Sequence, residues 1–308
     1  HSSYFGYSYF VLCSYYNESA AHSNEPVIRL LQPPMRRFEG KVLIVTGSSS
    51  GIGAGTALLF AKEGARVTIT SNKTEELEAT RQSIIKDSAC KEDDILAIPG
   101  DILDDVVKEK IVSDTVAKWG RIDILVNNVG GMFGSYGGLL GDIAYLKKTM
   151  DLNIYSAVQM VDLCCPYLIK AKGEIVNVSS IAAMPFGWAP TWAYYSMAKA
   201  AQDQLTRAWA IELIAEGVRV NAVRPGVTKT NFGVTAGLKP GAAEEIYKAA
   251  ESSPDTLPIR KCGEPEDIAN LIAFLADRSQ SRYMIGQTVT IDGGTTLVNC
   301  SDATAFKE

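Results

Sequence analysis

The sequence predicts a doubly wound α/β fold, in which a parallel sheet of seven strands has helices on both faces. Two observations predict it. Short apolar runs alternate with longer helical patterns from Gly40 onward, and several runs are almost continuously apolar, as in strands covered on both faces. Such alternation gives parallel strands joined by right-handed crossovers. At 308 residues and 46% hydrophobic composition, the chain can bury a large core in one domain.

The predicted strands share an apolar run and are Val42 to Thr46, Arg66 to Thr70, Ile95 to Pro99, Asp123 to Asn127, Glu174 to Val178, Arg219 to Val223 and Thr288 to Ile291. Helical patterns lie between them at 53 to 63, 74 to 88, 104 to 119, 143 to 170, 195 to 216 and 265 to 277. Doubly wound folds bind ligands at the carboxyl ends of their strands, so the residues after each strand are the candidates for a site.

Residues 1 to 34 are predicted to be an N-terminal extension that is disordered or not part of the fold. The aromatic run Tyr4 to Tyr16 is shorter than the roughly 20 residues of a membrane helix. It also lacks the basic start and long aliphatic centre of a signal peptide. We expect Met35, which follows Pro33-Pro34, to be the functional start and 35 to 308 to form the catalytic domain.

Charge and composition argue against several classes of partner. The net charge is −5 with no long run of Lys or Arg, so neither nucleic acid nor an anionic membrane is expected as a partner. The six cysteines lack metal-ligand spacing, which favours reduced thiols and a cytoplasmic location. The two histidines, His1 and His22, lie outside the predicted domain. A Ser-His-Asp triad is thereby excluded there, and no metal site is expected.

The first predicted strand is followed by a glycine-rich turn with the sequence Thr46-Gly47-Ser48-Ser49-Ser50-Gly51-Ile52-Gly53. A helical pattern begins within it, so the glycines lie where a buried strand turns into a helix. Glycines allow a tight turn and close approach of the backbone to a diphosphate, and the helix N-terminus favours an anion. No Gly-Lys-Ser/Thr ends the motif, so it is not a P-loop. The turn predicts nucleotide binding.

Polar residues also follow the next strands. Ser71, Asn72 and Lys73 follow the second strand, where an acidic residue would bind the ribose hydroxyls of NAD. Its absence favours NADP, with NAD as the alternative. Asp101 follows the third strand, where it either accepts a hydrogen bond from an adenine amino group or caps a helix.

A tyrosine and a lysine stand four residues apart in Tyr195-Ser196-Met197-Ala198-Lys199. On a helix this spacing places both side chains on one face. A tyrosine with a pKa of about 10 is a poor acid-base group at neutral pH. A neighbouring ammonium and the positive ring of an oxidised nicotinamide would favour the tyrosinate. The alternative interpretation is an incidental pair on an exposed helix.

Together with Asn127-Asn128-Val129-Gly130, Ser180 and Pro225-Gly226, these motifs make the chain resemble the short-chain dehydrogenase/reductase family from about Phe38 to Leu297. The resemblance implies a Rossmann fold and is strongest to tropinone-reductase-like and 3-oxoacyl-reductase-like carbonyl reductases, notably those of nematodes. The spacing of the glycines, and of Tyr195 and Lys199, is that of the shorter family members. Enoyl reductases space the tyrosine and lysine more widely.

The resemblance also implies catalytic roles. Tyr195 would be the general acid in carbonyl reduction and the base in alcohol oxidation, and Lys199 would hold the ribose and lower the tyrosine pKa. Ser180 would bind the substrate oxygen, and Asn153 would anchor a water in a proton relay. The segment 231 to 257 matches the substrate lid. The expected cofactor contacts are Gly47, Ser49, Ser50, Gly51, Ile52, Gly53, Ser71, Asn72, Lys73, Asp101, Ile102, Asn128, Val129, Gly130, Tyr195, Lys199, Pro225, Gly226, Thr228 and Thr230.

The chain departs from the family pattern at three places. Val129 stands where alanine is usual. Ser180 and Tyr195 are 195 − 180 = 15 positions apart, more than is usual, so the loop from Pro185 to Thr191 must bulge. If the register is misread, Ser179 is the catalytic serine. The usual NADP arginine is absent from both of its positions, where the chain has Ser50 and Asn72.

The predicted function is NADP-dependent reduction of a small or medium apolar ketone, or of a 3-oxoacyl compound, to an alcohol. Aromatic and apolar side chains suited to line the substrate site are Met184, Phe186, Trp188, Trp192 and Phe232. The alternatives are an NAD(P)-dependent alcohol or steroid dehydrogenase working oxidatively and a non-catalytic NADP-binding sensor. The resemblance also implies a homo-oligomer, a tetramer or a dimer, through the helices that start near Asn153 and Tyr195.

Overall fold

The structure is a computed structural model that describes residues 36–88, 90–133, 142–185, 192–237, 239 and 241–298. All of them belong to one compact unit, Arg36–Glu308. The predicted N-terminal extension, residues 1 to 34, lies outside the described residues and stays a prediction.

The centre of this unit is a parallel sheet of seven strands in the order β3-β2-β1-β4-β5-β6-β7. The strands are β1 (Val42–Val45), β2 (Arg66–Ser71), β3 (Ile95–Pro99), β4 (Ile124–Asn127), β5 (Glu174–Val178), β6 (Arg219–Pro225) and β7 (Thr288–Ile291). The predicted fold class is confirmed. The strand order reverses between β1 and β4, and this is the point at which doubly wound sheets bind ligands.

Helices cover both faces of the sheet. They are α1 (Gly51–Lys62), α2 (Thr74–Ser88), α3 (Asp105–Trp119), α4 (Ile143–Met150), α5 (Ser156–Ala171), α6 (Ala193–Ile214), α7 (Phe232–Thr235), α8 (Ala242–Ser252), α9 (Pro265–Ala276), α10 (Arg278–Ser281) and α11 (Thr295–Val298). Short 3-10 turns occupy Glu92–Asp94 and Ile181–Ala183.

The helical pattern predicted over 143 to 170 corresponds to helical structure throughout Ile143–Ala171, although not to a single α-helix. A π-helical turn, Asp151–Tyr155, separates α4 from α5. Such turns insert an extra residue into a helix and often occur at functional sites. The apolar pattern alone does not reveal this turn, because the side chains on either side of it remain apolar. The whole stretch Ile143–Ala171 is long and apolar enough to cross a membrane by length and composition. Within it, Met160, Cys164 and Leu168 are buried in the protein core.

Alternation along the strands divides the core into two layers. In β1, Leu43 and Val45 belong to the cluster that contains Phe60 of α1 and Ile272 of α9. Ile44, between them, belongs to the other cluster, whose helical members come from α3, α5 and α6. Each face of the sheet is therefore covered, as expected for nearly continuous apolar strands.

The amino ends of β5 and β6 are held by buried charges. Arg219 forms an ion pair with Glu174 at 2.9 Å, and Arg278 donates to the same carboxylate at 2.8 Å. The Arg219 guanidinium also donates to the carbonyls of Leu275 at 2.8 Å and Ser281 at 2.6 Å, at the ends of α9 and α10. Arg219 and Glu174 thus form a buried ion pair, and the guanidinium also binds the backbone at this edge. The opposite, carboxyl edge contains the cavity.

Candidate active site at the carboxyl edge of the sheet

A cavity of about 540 Å³ lies where the strands end. Its wall includes every predicted cofactor contact except Gly53. Three of the four predicted catalytic residues, Ser180, Tyr195 and Lys199, also lie on it. The predicted residues on the wall are Gly47, Ser49, Ser50, Gly51, Ile52, Ser71, Asn72, Lys73, Asp101, Ile102, Asn128, Val129, Gly130, Ser180, Tyr195, Lys199, Pro225, Gly226, Thr228 and Thr230. The fold thus brings side chains from distant parts of the sequence to one site.

The glycine-rich turn leaves no room for side chains. A Cβ atom on Gly53 would lie 2.3 Å from the Gly47 carbonyl oxygen and 2.6 Å from Asn128 Nδ2. Gly53 lies off the cavity wall for this reason and serves the packing of the turn. Gly47 and Gly51 adopt positive φ angles of 65° and 56°, which glycine adopts without strain. The turn brings the backbone and the start of α1 to the cavity, as a phosphate site requires.

Asn128 supports this turn from the side. Its Nδ2 donates to the carbonyls of Thr46 at 2.9 Å and Gly47 at 2.8 Å. The neighbouring Asn127 donates to Asn177 Oδ1 at 2.9 Å, across to β5. Asn128 therefore braces the backbone of the turn, and Asn127 links β4 to β5 through their side chains.

Small hydroxyls and one lysine lie at the end of β2. The Ser49 and Ser71 hydroxyls are hydrogen-bonded at 2.9 Å, and Lys73 forms an ion pair with Glu76 at 3.0 Å. At the end of β3, Asp101 Oδ1 accepts a hydrogen bond from the Leu103 amide at 3.0 Å, so this carboxylate caps the local turn while lining the cavity. The part of the wall at Ser71, Asn72 and Lys73 is free of carboxylates.

Tyr195 and Lys199 lie on α6 and line the cavity. Tyr195 is 6% exposed and Lys199 is 2% exposed. Burial raises the pKa of Tyr195 to about 12, and a hydrogen bond with the Ser180 hydroxyl opposes this shift. Burial lowers the pKa of Lys199 to about 7, and the negative charge of Asp203 opposes that shift. Desolvation disfavours the charged form of each group.

The Lys199 ammonium donates to the carbonyl of Val178 at 2.8 Å and to Gln202 Oε1 at 3.0 Å. It lies 5.7 Å from the centre of the Tyr195 ring. The incidental pairing on an exposed helix is therefore wrong, because both side chains are buried on the cavity wall.

Of the two adjacent serines, Ser180 is the one hydrogen-bonded to Tyr195. Its hydroxyl also accepts from the Ala182 amide at 3.1 Å and caps the 3-10 turn. Ser179 instead donates to the Lys199 carbonyl at 3.4 Å. The geometry supports the register in which Ser180 faces the tyrosine.

Asn153 lies in the π-helical turn, off the cavity wall. Its Nδ2 donates to the carbonyls of Gly131 and Thr149, each at 2.8 Å, and its Oδ1 accepts from the Gly131 amide at 3.2 Å. A Cβ on Gly130 would lie 2.9 Å from both Asn153 Oδ1 and Lys199 Nζ. Asn153 and Lys199 are thus separated by a glycine that must lack a side chain.

Aromatic rings surround the hydroxyl of Tyr195. The Trp192 ring packs edge-on against Tyr195 at 5.9 Å, and Phe232 lies 5.3 Å from Tyr195 between centroids. The expected lining residue Met184 is not on the wall, because its sulfur turns toward the Thr290 hydroxyl at 3.9 Å. Phe186 and Trp188 lie outside the described residues.

The segment predicted as the substrate lid, 231 to 257, forms one side of the cavity. Helix α8 lies in this segment and contributes Ala243, Ile246 and Tyr247 to the wall, and Asn231 and Gly233 also lie on it. The spacing of three and four residues from Ala243 is that of one helical face, so the pattern was present in the sequence. Ser179, the alternative serine, is on the wall as well, and the wall residues that were not predicted are Thr70, Gly100, Leu152, Val178, Ile181, Ala182 and Val227.

Known proteins of similar sequence and structure are oxidoreductases. A 3-oxoacyl-[acyl-carrier-protein] reductase of Thermotoga maritima is 34% identical over 267 residues, which covers 84% of this chain and 98% of that protein. A short-chain dehydrogenase/reductase of unknown function from Caenorhabditis elegans, solved with cofactor, is 43% identical with a TM-score of 0.84, covering 88% of this chain and all (100%) of that one. A family model described as enoyl-(acyl carrier protein) reductase matches residues 47–296.

The chain belongs to the short-chain dehydrogenase/reductase family. A further family structure, glucose dehydrogenase of C. elegans in the apo form, is 42% identical with a TM-score of 0.73, covering 85% of this chain and all (100%) of that one. Members of this family bind an NAD(P) nucleotide and act on small molecules. The protein is therefore an NAD(P)-dependent oxidoreductase, and the cavity has the turn and the Tyr195-Lys199 pair that the family motifs require.

The buried lysine predicts a trade between stability and function. Lys199→Met removes a charge from the interior, so we expect the free energy of unfolding at pH 6 to rise by about 1–3 kcal/mol. The folded pKa of Lys199 is about 7, below its ordinary value of 10.5, so the unfolded chain binds more protons between these values. The cost of the buried charge to the free energy of unfolding is therefore complete below pH 7 and disappears as the pH rises toward 10.5. The increase in stability from Lys199→Met should become smaller over the same pH range.

Urea unfolding at several pH values measures this effect. Lys170→Met, on the exposed side of α5, is the matched control and should change stability little at any pH. A loss of stability in Lys199→Met at pH 6 would show that the ammonium is not a cost to the fold.

Proposed function

We propose that the protein is an NADP-dependent carbonyl reductase that converts a small or medium apolar ketone to an alcohol. The observation that supports it most is the buried hydroxyl of Tyr195, hydrogen-bonded to Ser180 at the end of the cavity that contains Trp192 and Phe232. A 3-oxoacyl compound is the related substrate class, since the T. maritima relative is named as a 3-oxoacyl reductase.

The residues present fit a nicotinamide dinucleotide. The glycine-rich turn would hold the diphosphate, because Gly47 and Gly51 lie on the wall without side chains and leave the backbone open to the cavity. Ser71, Asn72 and Lys73 would hold the adenosine ribose and its 2′-phosphate. Lys199 would hold the other ribose, and Pro225, Gly226, Thr228 and Thr230 would surround the nicotinamide. The bound reduced cofactor supplies a hydride to the carbonyl carbon.

Tyr195 manages the proton in this reaction. Its hydroxyl is protonated at neutral pH and can act as the general acid, but burial raises its pKa to about 12, so the transfer relies on the positive charge of Lys199 and of the nicotinamide ring to favour the tyrosinate. The hydroxyl donates its proton to the carbonyl oxygen as that oxygen gains negative charge, while Ser180 donates a hydrogen bond to the same oxygen. The tyrosinate left behind is stabilised by the Lys199 ammonium, and a proton from solvent restores it through Lys199 and the neighbourhood of Asn153.

The choice of NADP rests on the end of β2. Among Ser71, Asn72 and Lys73 there is no carboxylate to bind two ribose hydroxyls or to repel a phosphate. The Lys73 ammonium lies beside Glu76 at 3.0 Å, both partly exposed, and such a pair costs little to rearrange.

An NAD(P)-dependent alcohol dehydrogenase working oxidatively is the second candidate. Similar proteins named as dehydrogenases favour it, among them the glucose dehydrogenase of C. elegans and a meso-2,3-butanediol dehydrogenase of Serratia marcescens that is 33% identical over 261 residues. The apolar rings of Trp192 and Phe232 favour a ketone over a sugar.

Exposed apolar side chains on α6 and the π-helical turn support a homo-oligomer, a tetramer or a dimer, as a further part of the proposal. Ile211 is 79% exposed, and Tyr155 and Met197 are exposed as well. Large apolar side chains left exposed in a monomer are often covered at protein interfaces.

Tyr195→Phe tests the enzymatic role. Removing only the hydroxyl should reduce kcat for ketone reduction by about 10²–10⁴-fold, because the general acid is lost, and leave NADPH affinity within about threefold. Tyr283→Phe, which removes the hydroxyl of a side chain that is 97% exposed and off the cavity wall, is the matched control. Oxidation of NADPH against a panel of ketones, diketones and 3-oxoacyl thioesters measures it. Full activity in Tyr195→Phe would contradict the mechanism, and NADPH binding by the wild type without turnover of any substrate would favour the sensor alternative.

Ser71→Asp tests the cofactor preference. The new carboxylate should repel the 2′-phosphate, lower kcat/KM for NADPH by about 10- to 100-fold and raise it for NADH. Ser83→Asp, on the exposed side of α2, adds the same charge away from the cavity and should leave the ratio unchanged. A wild-type ratio that already favours NADH would overturn the choice of NADP.

A further inference from the structure

The hydroxyl of Tyr247 binds both backbone polar groups of one residue. It donates to the Thr230 carbonyl at 2.9 Å and accepts from the Thr230 amide at 3.2 Å. Tyr247 lies on α8 and lines the cavity, whereas Thr230 lies in the segment that follows β6. The phenol hydroxyl therefore pairs with the amide and the carbonyl of Thr230, as the backbone of a neighbouring strand would.

Thr230 in turn lies over the glycine-rich turn. A Cβ on Gly51 would lie 3.0 Å from Thr230 Cγ2, so this methyl group covers the start of α1. The Thr230 hydroxyl also accepts from the Phe232 amide at 3.2 Å, where α7 begins. The position of Thr230 thus sets the width of the cavity at the turn.

A second contact joins α8 to the same segment but is weaker. Glu251, one helical turn after Tyr247, forms an ion pair with Lys229 at 3.0 Å. Both side chains of that pair are partly exposed, at 38% and 29%, and ion pairs of this kind contribute little. Glu251 also accepts from the Cys262 amide at 3.0 Å, which fixes α8 to the following loop. The bridging phenol is therefore the principal direct link from α8 to Thr230.

We propose that Tyr247 is a positioning residue for the nucleotide: its hydroxyl holds Thr230 over Gly51 and so couples helix α8 to the cofactor end of the cavity. The inference rests on the proposed function only in that a nicotinamide nucleotide occupies this cavity. Tyr247 acts on affinity for the nucleotide and takes no part in proton transfer, because its hydroxyl is committed to the backbone of Thr230.

Tyr247→Phe removes the two hydrogen bonds and keeps the ring. We expect the dissociation constant for NADPH, measured by nucleotide fluorescence, to rise about tenfold, because Thr230 must then be ordered over Gly51 when the nucleotide binds. At saturating NADPH, kcat should stay within about threefold of wild type. Tyr283→Phe removes a phenol that is 97% exposed and serves as the matched control, with no change in either quantity.

Thermal unfolding separates this role from a purely structural one. Any role of these hydrogen bonds predicts a lower Tm for Tyr247→Phe without nucleotide, because two bonds to Thr230 are lost. A positioning role predicts in addition that the increase in Tm given by saturating NADPH becomes smaller, whereas a purely structural role leaves that increase unchanged. An unchanged dissociation constant, or a fall in kcat of about a hundredfold with normal affinity, would overturn the proposal.

The same titrations with NADH distinguish the two proposals. If the wild type binds NADH more tightly than NADPH, the proposed cofactor is wrong, while a tenfold loss of NADH affinity in Tyr247→Phe would still support the role of Tyr247. If the wild type binds neither nucleotide, both proposals are overturned.

Discussion

The Lys199 ammonium is held inside the protein, and the arrangement of the site follows from the cost of removing that charge from water. Two acceptors offset part of this cost, the Val178 carbonyl at 2.8 Å and Gln202 Oε1 at 3.0 Å. Close packing around the ammonium also requires a glycine at position 130, where a Cβ would lie 2.9 Å from the nitrogen. The π-helical turn that contains Asn153 lies next to the same glycine. The end of β5, helix α6 and the π-helical turn are thereby fixed relative to Tyr195.

The two ends of the sheet handle charge in opposite ways. At the amino edge, Arg219 and Glu174 are buried as partners, and the guanidinium also binds carbonyls at the ends of helices. At the carboxyl edge, the Lys199 ammonium and the backbone of the glycine-rich turn line a cavity. Functional sites commonly depart from the rules that stabilise the rest of a fold, and other parts of the structure then provide the stability. In this protein, the two apolar layers on the faces of the sheet provide it.

Much of the fold was readable from the sequence, because strands buried on both faces are nearly continuous apolar runs and their carboxyl ends share one edge. Val42–Val45 and the glycines after it are an example. The π-helical turn at Asp151–Tyr155 was not readable, since one extra residue in a helix leaves its apolar pattern almost intact. The approach of Tyr247 to Thr230 depends on how α8 packs, which local sequence does not determine. Met184 was wrongly expected to line the substrate site, because the apolar character of a residue does not determine the direction of its side chain.

If the glycine-rich turn and Tyr195 lie at two ends of one nucleotide site, a crystal structure of the protein with NADP⁺ bound will show it. We expect the diphosphate against the turn from Gly47 to Gly53 and the nicotinamide ring beside the Tyr195 hydroxyl, with Lys199 at the adjoining ribose. A nucleotide bound away from the turn, or with its nicotinamide out of reach of Tyr195, would show that these residues do not form one site.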